Sequence, residues 1–271
     1  MTDALTLVLN AAEGPLQIVL CGANGHLLYG RCLDAASRGT EVLSPAIAAA
    51  LSVLQKTPRD IAKIAVVRGP GSFTGLRLSV ATSSGLSRVT GAKQAGMSLS
   101  YLIARESVPS LAGEDAAAHL WTLLRARRDL LYMQAFVPDG SVAARVRALT
   151  ELVVLPVSTG DAARHILAVA KEHHAKNSIL AGSGVGENRD ALVSGLAGKD
   201  GGIRCAFLDI TRPSLETLAE ESRDLAYGTA DIAPLYVRAS DAEDNLPQIA
   251  ESIGLDPKGA VEKLYELTHV F

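Results

Sequence analysis

Twice along this chain, three short strand-like runs are followed by alternating helical and strand-like segments, and this repeated order restricts the fold more than any other feature. The first pass opens with LTLVL (5–9), LQIVLCG (16–22) and HLLYGRCL (26–33), joined by AAEGP and by a turn at Ala23-Asn24-Gly25. Apolar runs of this length bounded by Gly, Pro and Asn predict an antiparallel meander. A helical pattern follows from Thr40 to Lys56, then the strand IAKIAVV (61–67), a helix starting near Gly75 and, after a short segment, a helix at 98–106. The second pass offers strands at LWTLL (120–124), LLYMQAFV (130–137) and SVAARVRAL (141–149), the last two joined through PDG. A helix at 160–173, the strand SILAG (178–182), a helix near 187–195, a strand around IRCAFL (203–208) and a helix at 213–226 complete it.

A meander feeding βα crossovers gives a mixed sheet covered by helices. Two such units in tandem predict an α/β chain with the actin-like (ASKHA, RNase H-like) duplicated fold, built from two βββαβα-type subdomains. The polar connection from Pro109 to Asp115 sets the boundary. Residues 1–110 form the first subdomain, 111–226 the second, 227–238 a return segment and 239–271 a C-terminal extension. The extension opens with the acidic ASDAEDN, expected to be a mobile link. It closes with a short helix that has Asp256 and Pro257 as N-cap and first helical position and Val261, Leu264, Tyr265 and Thr268 at helical spacing.

At 48% hydrophobic residues and a net charge of -3, the chain can bury a large core but is no dedicated nucleic-acid coat, which would need an excess of Lys and Arg to neutralise phosphates. A local basic patch stays open. Cys21, Cys32 and Cys205 are too few and too scattered for a disulfide framework, so reduced thiols and a cytoplasmic location are expected. MTDALTLVLNAAEG has no basic residue before its short apolar run, unlike a signal peptide, and SPAIAAALSVL is too short to span a bilayer. No membrane association is expected.

In VVRGPGSFTGLRLSVATSSGLSRV (66–89) an apolar strand, a glycine-containing loop and a helix with hardly any bulky polar residue follow one another directly. Gly69 and Gly71 permit backbone angles closed to other residues, and Ser72 or Thr74 can cap the helix. The free N–H groups at its start, with Arg77 nearby, could face a phosphate. Yet the loop has neither the Walker A lysine nor G-x-G-x-x-G spacing, so on local chemistry alone a sharp strand-to-helix turn that needs glycine is the favoured reading. Along the helix Gly75, Ser79, Ser83 and Ser87 recur every fourth position, flanked by Ala81, Thr82, Ser84 and Gly85, with Leu78, Val80, Leu86 and Val89 as apolar anchors. Small residues let a neighbouring helix approach closely. That neighbour is either the chain's own sheet or a helix pair from another chain, to which SPAIAAALSVL (44–54) would contribute. On the second reading the partner interface comprises Gly75, Leu78, Ser79, Thr82, Ser83, Leu86 and Ser87 with Ala46, Ala49, Ala50 and Val53.

The stretch VVRGPGSFTGLRLSVATSSGL resembles the signature of the bacterial TsaB (YeaZ) family. The likeness extends to the opening meander, to TEVLSPAI, to RARRDLLYMQAF, to AGSG (181–184) and to PLYVR (234–238), and so covers most of residues 5–238. The resemblance implies the duplicated actin-like fold and a non-catalytic role. Proteins of this family bind the catalytic subunit TsaD through the first two helices of their N-terminal half, and the same surface can form homodimers. A TsaE-type ATPase joins the pair. A separate enzyme makes the threonylcarbamoyl-adenylate that TsaD transfers to adenosine 37 of tRNAs reading ANN codons, so tRNA is met through the complex. No intrinsic cofactor is implied; ATP or ADP is expected only at the interface of the assembled complex.

An actin-like phosphotransferase positions Mg-nucleotide with carboxylates at the ends of its first strands. Where the family usually has an Asp-Thr-Ser turn, this chain has Asn10, Ala11 and Ala12, and where relatives often have Asp-Ala-Arg it has Arg125, Ala126 and Arg127. Independent ATP hydrolysis is therefore not expected and no catalytic residue is assigned. A free-standing actin-like phosphotransferase or ATPase using the GPGSFTG loop is the alternative. His26, His119, His165, His173, His174 and His269 include no H-x-x-x-H pair, and the adjoining His173 and His174 fit a solvated helix end, so no metal site is assigned. H-E-x-x-H and G-x-S-x-G are absent as well. Arg125, Arg127 and Arg128 with Arg145 and Arg147 either touch tRNA phosphate or line a solvated face.

Overall fold

Both meanders are present in the structure, a computed structural model that describes residues 4–34, 39–111, 118–140, 145–197, 202–237, 241–259 and 262–263. The first half runs β1 (Leu5–Asn10), β2 (Leu16–Cys21), β3 (Leu27–Leu33), α1 (Gly39–Val53), a 3-10 turn (Pro58–Asp60), β4 (Ile61–Val67), α2 (Phe73–Thr90), β5 (Lys93–Met97) and α3 (Leu99–Ser107). Its sheet has the order β3-β2-β1-β4-β5, antiparallel through the meander and parallel from β1 to β5. The second half runs β6 (His119–Arg127), β7 (Leu130–Pro138), β8 (Val146–Ala148), β9 (Val153–Pro156), α4 (Asp161–Glu172), β10 (Asn177–Ala181), α5 (Ser183–Leu196), β11 (Arg204–Phe207) and α6 (Leu215–Arg223). Its order, β11-β10-β6-β7-β8 with β9 also on β7, matches the first, and the duplicated actin-like fold is realised.

Local departures from the sequence expectation have local causes. β5 reads KQAGM, without the alternation that marks a strand, so its sequence marks it only as a short connecting segment. β9, unforeseen, is a four-residue edge segment ending in Pro156. Together with β8 it plays the part that β3 plays alone in the first half, since β8 pairs with one end of β7 and β9 with the other. Residues 141–144 of the expected third strand and 112–117 of the expected boundary lie outside the described residues. α5 begins directly after β10, at Ser183, although Gly184 and Gly186 weaken its first turns.

Layering explains why both halves join in one compact unit ending at Leu235. α1 and α2 cover one face of the first sheet, closing over Leu5, Leu7, Leu9, Ile18 and Leu20. The opposite face is covered by α6 of the second half, while α3 of the first half packs on β6, β7, β8 and β10. Each half thus lends its last helix to the other's sheet. Where α3 meets α6, Arg105 pairs with Glu221 at 3.0 Å and with Glu220 at 2.7 Å. α4 and α5 close the outer face of the second sheet over Trp121, Leu123, Met133 and Leu180.

From Tyr236 the chain forms a second unit. Residues of the expected acidic link are helical from Asp241 in α7 (Asp241–Ser252), because Leu246 and Ala250 fall one turn apart and give the segment an inward side. Asp256 caps the next helical turn as expected, accepting from the N–H groups of Lys258 at 3.2 Å and Gly259 at 2.9 Å. Val261, Leu264, Tyr265 and Thr268 of that predicted helix lie outside the described residues. Among the described residues no helix is long and apolar enough to cross a membrane.

Candidate functional site

The turn between β1 and β2 occupies the position where an actin-like kinase presents its first carboxylate. Asn10 is buried there; its Nδ2 donates to Gln17 Oε1 at 2.7 Å and its Oδ1 accepts the Ala12 N–H at 3.1 Å. Gln17 in turn donates to the Pro213 carbonyl at 2.9 Å, tying the turn to the second half. The amide at position 10 is thereby used up in shaping its own turn.

That turn also accounts for the glycine loop. Ser72 N–H donates to the Ala12 carbonyl at 2.6 Å. A Cβ on Gly71 would lie 2.2 Å from the Ala12 oxygen, and one on Gly75 would lie 1.9 Å from the Ala11 oxygen. Gly69 has φ +132° and would place a Cβ 2.9 Å from the Leu235 carbonyl, while Leu235 N–H donates to Arg68 O at 2.6 Å. Ser72 is the N-cap, accepting from Gly75 N–H at 3.3 Å; Thr74 is exposed, and the exposed Arg77 lays its guanidinium 3.7 Å from the Phe73 ring centre. The sharp-turn reading therefore explains the loop's glycines without a ligand. A cavity of about 440 Å³ beside it is lined by Ser72, Thr74 and Gly75, but also by Glu13 and Asp34, whose carboxylates oppose an incoming phosphate.

Glu13 reaches across to the second half. The Ser183 hydroxyl donates to its Oε1, and Ser183 Oγ accepts the Arg125 N–H at 3.0 Å. Burial pushes the Glu13 carboxyl above the usual carboxylate range, against the lowering effects of the Ser183 hydrogen bond and the Arg125 charge. The arginines read from the sequence do not converge. Arg125 pairs with Glu187, and Arg145 pairs with Asp224 at 2.7 Å. Arg127, Arg128 and Arg147 are exposed, and Arg127 has a partner of its own. His173 and His174 are exposed at the end of α4, as expected, and among the described residues no three His, Cys, Asp or Glu side chains converge as a metal site. His119, by contrast, opens β6 and is buried, a burial with no local sequence signal.

The largest correction concerns α2. Its small-residue stripe faces inward. Ser79 and Ser83 are both 0% exposed. Ser79 Oγ donates to the Gly75 and Leu76 carbonyls at 3.2 Å, Ser83 Oγ to Gln94 Oε1 at 2.5 Å, and Ser87 Oγ to the Ala92 carbonyl at 2.7 Å. Gly75 lies under Ala11, and Leu78 and Leu86 pack on the first core with Ala46 and the fully buried Ala50. Thr82 is half-buried. A serine that bonds a backbone carbonyl can be buried at little cost, which is why the stripe suits the chain's own sheet.

Only Ala49 and Val53 of the expected interface are exposed. They belong to a different bare face. On α1 it comprises Ser44, Pro45, Ala48, Ala49, Ser52 and Val53, and on α2 Ala81, Gly85 and Val89, with the exposed Arg77 and Arg88 at its two ends. Gly85 stands at its centre: a Cβ there would meet nothing within 4 Å. Glycine in a helix interior costs about 0.5–1 kcal/mol relative to alanine. Gly71 and Gly75 are offset by contacts with the chain's own backbone; Gly85 has no such compensation.

A family model described as TsaD, tRNA N6-adenosine threonylcarbamoyltransferase, matches residues 34–199. No curated relative matches the chain. Two solved structures from Pseudomonas aeruginosa share its fold. One, an uncharacterized protein with similarity to peptidase YEAZ, is 20% identical, with a TM-score of 0.63 over 87% of this chain and 100% of its own. The other, YeaZ, is 19% identical, with a TM-score of 0.58 over 95% of this chain and 98% of its own.

Proposed function

This chain belongs to the TsaD family of tRNA modification, with the fold of YeaZ (TsaB) proteins, and from that premise we propose that it is a non-catalytic partner. In this reading it binds and activates a TsaD-type transferase that forms N6-threonylcarbamoyladenosine at position 37 of tRNAs reading ANN codons. A TsaE-type ATPase joins the pair, ATP or ADP sits at the joint if it binds, and the same surface serves self-association when the catalytic subunit is absent. The free thiols Cys21, Cys32 and Cys205 fit a reducing compartment.

The observation that carries the proposal is the exposed, side-chain-poor face of α1 and α2 around Gly85. A bare helix pair admits another helix pair at short distance, and a glycine with open space above it is accounted for by a foreign surface. The non-catalytic half rests on Asn10, whose amide is committed to Gln17 and to Ala12. The test is Gly85→Arg, which leaves the fold intact because the new side chain points into open space. Burying that charge unpaired against a partner costs about 3 kcal/mol or more, so association with the purified TsaD-type subunit should weaken at least ~100-fold by calorimetry. Undiminished binding would overturn the assignment of this face. Mg-ATP turnover by the purified chain alone would overturn the non-catalytic role.

A further inference from the structure

Among the described residues, three cations at the far end of the first sheet form no ion pair with a carboxylate, and we infer that they bind the phosphate backbone of RNA. Arg59 on the 3-10 turn, Lys63 on β4 and Lys93 at the start of β5 line one cavity of about 420 Å³, with Thr90, Gly91 and Ala92 as its remaining wall on the α2 side. All three are exposed. Lys63 and Lys93 are register partners on parallel strands, so their stems start about 4.8 Å apart. Like charges placed side by side on a sheet destabilise it. The chain carries 29 Asp and Glu against 26 Lys and Arg, yet none of those acids lines this cavity.

Asp60, next to Arg59 in the chain, and Asp231 are committed elsewhere. Asp60 accepts the Thr57 N–H at 2.7 Å and its hydroxyl at 2.9 Å, and Asp231 pairs with Arg88 at 3.1 Å. Lys63 Nζ rests 4.9 Å from the centre of the Tyr227 ring, which is itself fixed by a hydrogen bond from its hydroxyl to the Ser222 carbonyl at 2.6 Å. This is the opposite of the second-half arginines, of which Arg125 and Arg145 are neutralised by their own chain.

The occupant follows from what surrounds the cations. The cavity lies at the C-terminal end of α2, where the helix presents its negative pole rather than a cradle of N–H groups. A compact anion finds no backbone cradle there, whereas a polyanion draws on several separated side chains at once. In a tRNA-modifying family that polyanion is tRNA. The inference rests on the functional reading above and makes this chain a direct contributor of phosphate contacts to the complex.

The test titrates a labelled, unmodified tRNA transcript with the full chain across a salt series, comparing wild type, Lys63→Glu/Lys93→Glu and Lys63→Ala/Lys93→Ala. Lys171→Glu, on the exposed side of α4, is the control. The paired variants should bind at least ~10-fold more weakly at low salt and lower the slope of log affinity against log salt by about 1–2, with the control unchanged. Circular dichroism confirms that the variants are folded, and the alanine pair stands in should charge reversal disturb the sheet. Unchanged affinity and slope in either folded pair would overturn the inference, as would tripolyphosphate binding as tightly as tRNA. Association with the TsaD-type subunit, measured in parallel, separates the two readings. Loss of tRNA binding with pairing intact supports this site, while a wild type that never pairs sinks the partner role without touching the tRNA titration.

Discussion

The two halves share one strand order, but their outer helices show different faces to water. α4 exposes Arg164, Lys171 and Glu172, and α5 exposes Glu187, Arg189 and Asp190, the ordinary charged surface of an amphipathic helix. Beyond Thr40 and Glu41 in its first turn, α1 exposes only Ser44, Pro45, Ala48, Ala49, Ser52 and Val53, the last 67% accessible. α2 places Ala81 and Gly85 between Arg77 and Arg88, with Val89 84% accessible near its end. Equivalent elements under the same folding constraints have thus been given opposite surfaces. The fold does not require the bare pair, and the proposed partner would account for it.

The comparison breaks hardest at Ser83. This position points into the first sheet, so Ser83→Arg forces an unpaired charge beside Gln94. Leaving a buried charge uncompensated costs about 3–5 kcal/mol, much of a domain's total stability, and soluble folded protein should be lost. Gly85→Arg, half a helical turn away, should unfold in urea within about 1 kcal/mol of wild type. If Ser83→Arg folds as well as Gly85→Arg, the inward and outward faces of α2 have been exchanged.

A smaller effect separates the cores. The first is built from Leu, Ile, Val and Ala, whereas the second encloses Trp121 and Met133 and buries His119 beside it. Burial holds both His119 and the half-buried His165 below the ordinary imidazole pKa, with the His173 charge adding to the effect at His119. A histidine whose folded pKa is depressed contributes stability that is complete above its unfolded pKa of ~6.5 and is lost as pH falls below it, because the unfolded chain then binds more protons. Glu13 has the opposite sign: its folded pKa is raised, so the folded state holds that proton more tightly as pH falls toward the ordinary carboxylate value. Acid should therefore loosen the second half first. Trp121, the single tryptophan, lies 5.5 Å from the His165 ring and reports it by fluorescence. Its transition should begin while first-half amides are still protected from exchange, and His119→Leu should flatten the loss of stability between about pH 6.5 and 5. Simultaneous loss of both halves with an unchanged slope would remove the histidines from the account.

Much of this architecture is legible in the sequence because it is written in local patterns. IAKIAVV is a strand to the residue, and the three-strand openings of both halves follow from apolar runs between turn residues. The direction of α2 is not legible from apolar content, since both its faces are small and a serine stripe suits a core as well as an interface. The signal lies in its arginines: Arg77, Ala81, Gly85 and Arg88 share one side of the helix, and two charges on that side mark it as outward. The juxtaposition of Lys63 and Lys93 has no local signature at all. It arises when β4 and β5 pair in register across the whole length of α2.

The gentlest probe of the bare face is Gly85→Ala. The added methyl meets nothing within 4 Å, and α2 gains the helix propensity that glycine lacks, about 0.5–1 kcal/mol. For a unit of this size the melting temperature of the isolated chain should rise by roughly 2–3 °C. Gly75→Ala should do the reverse, since its methyl would lie 1.9 Å from the Ala11 carbonyl, a backbone atom that cannot give way without moving the β1–β2 turn. A rise in stability at Gly85 accompanied by weaker association with the TsaD-type subunit means the glycine is kept for close approach by another chain. A rise with association untouched means the partner sits farther off, over Ala49 and Val53, and α1 rather than α2 carries the contact.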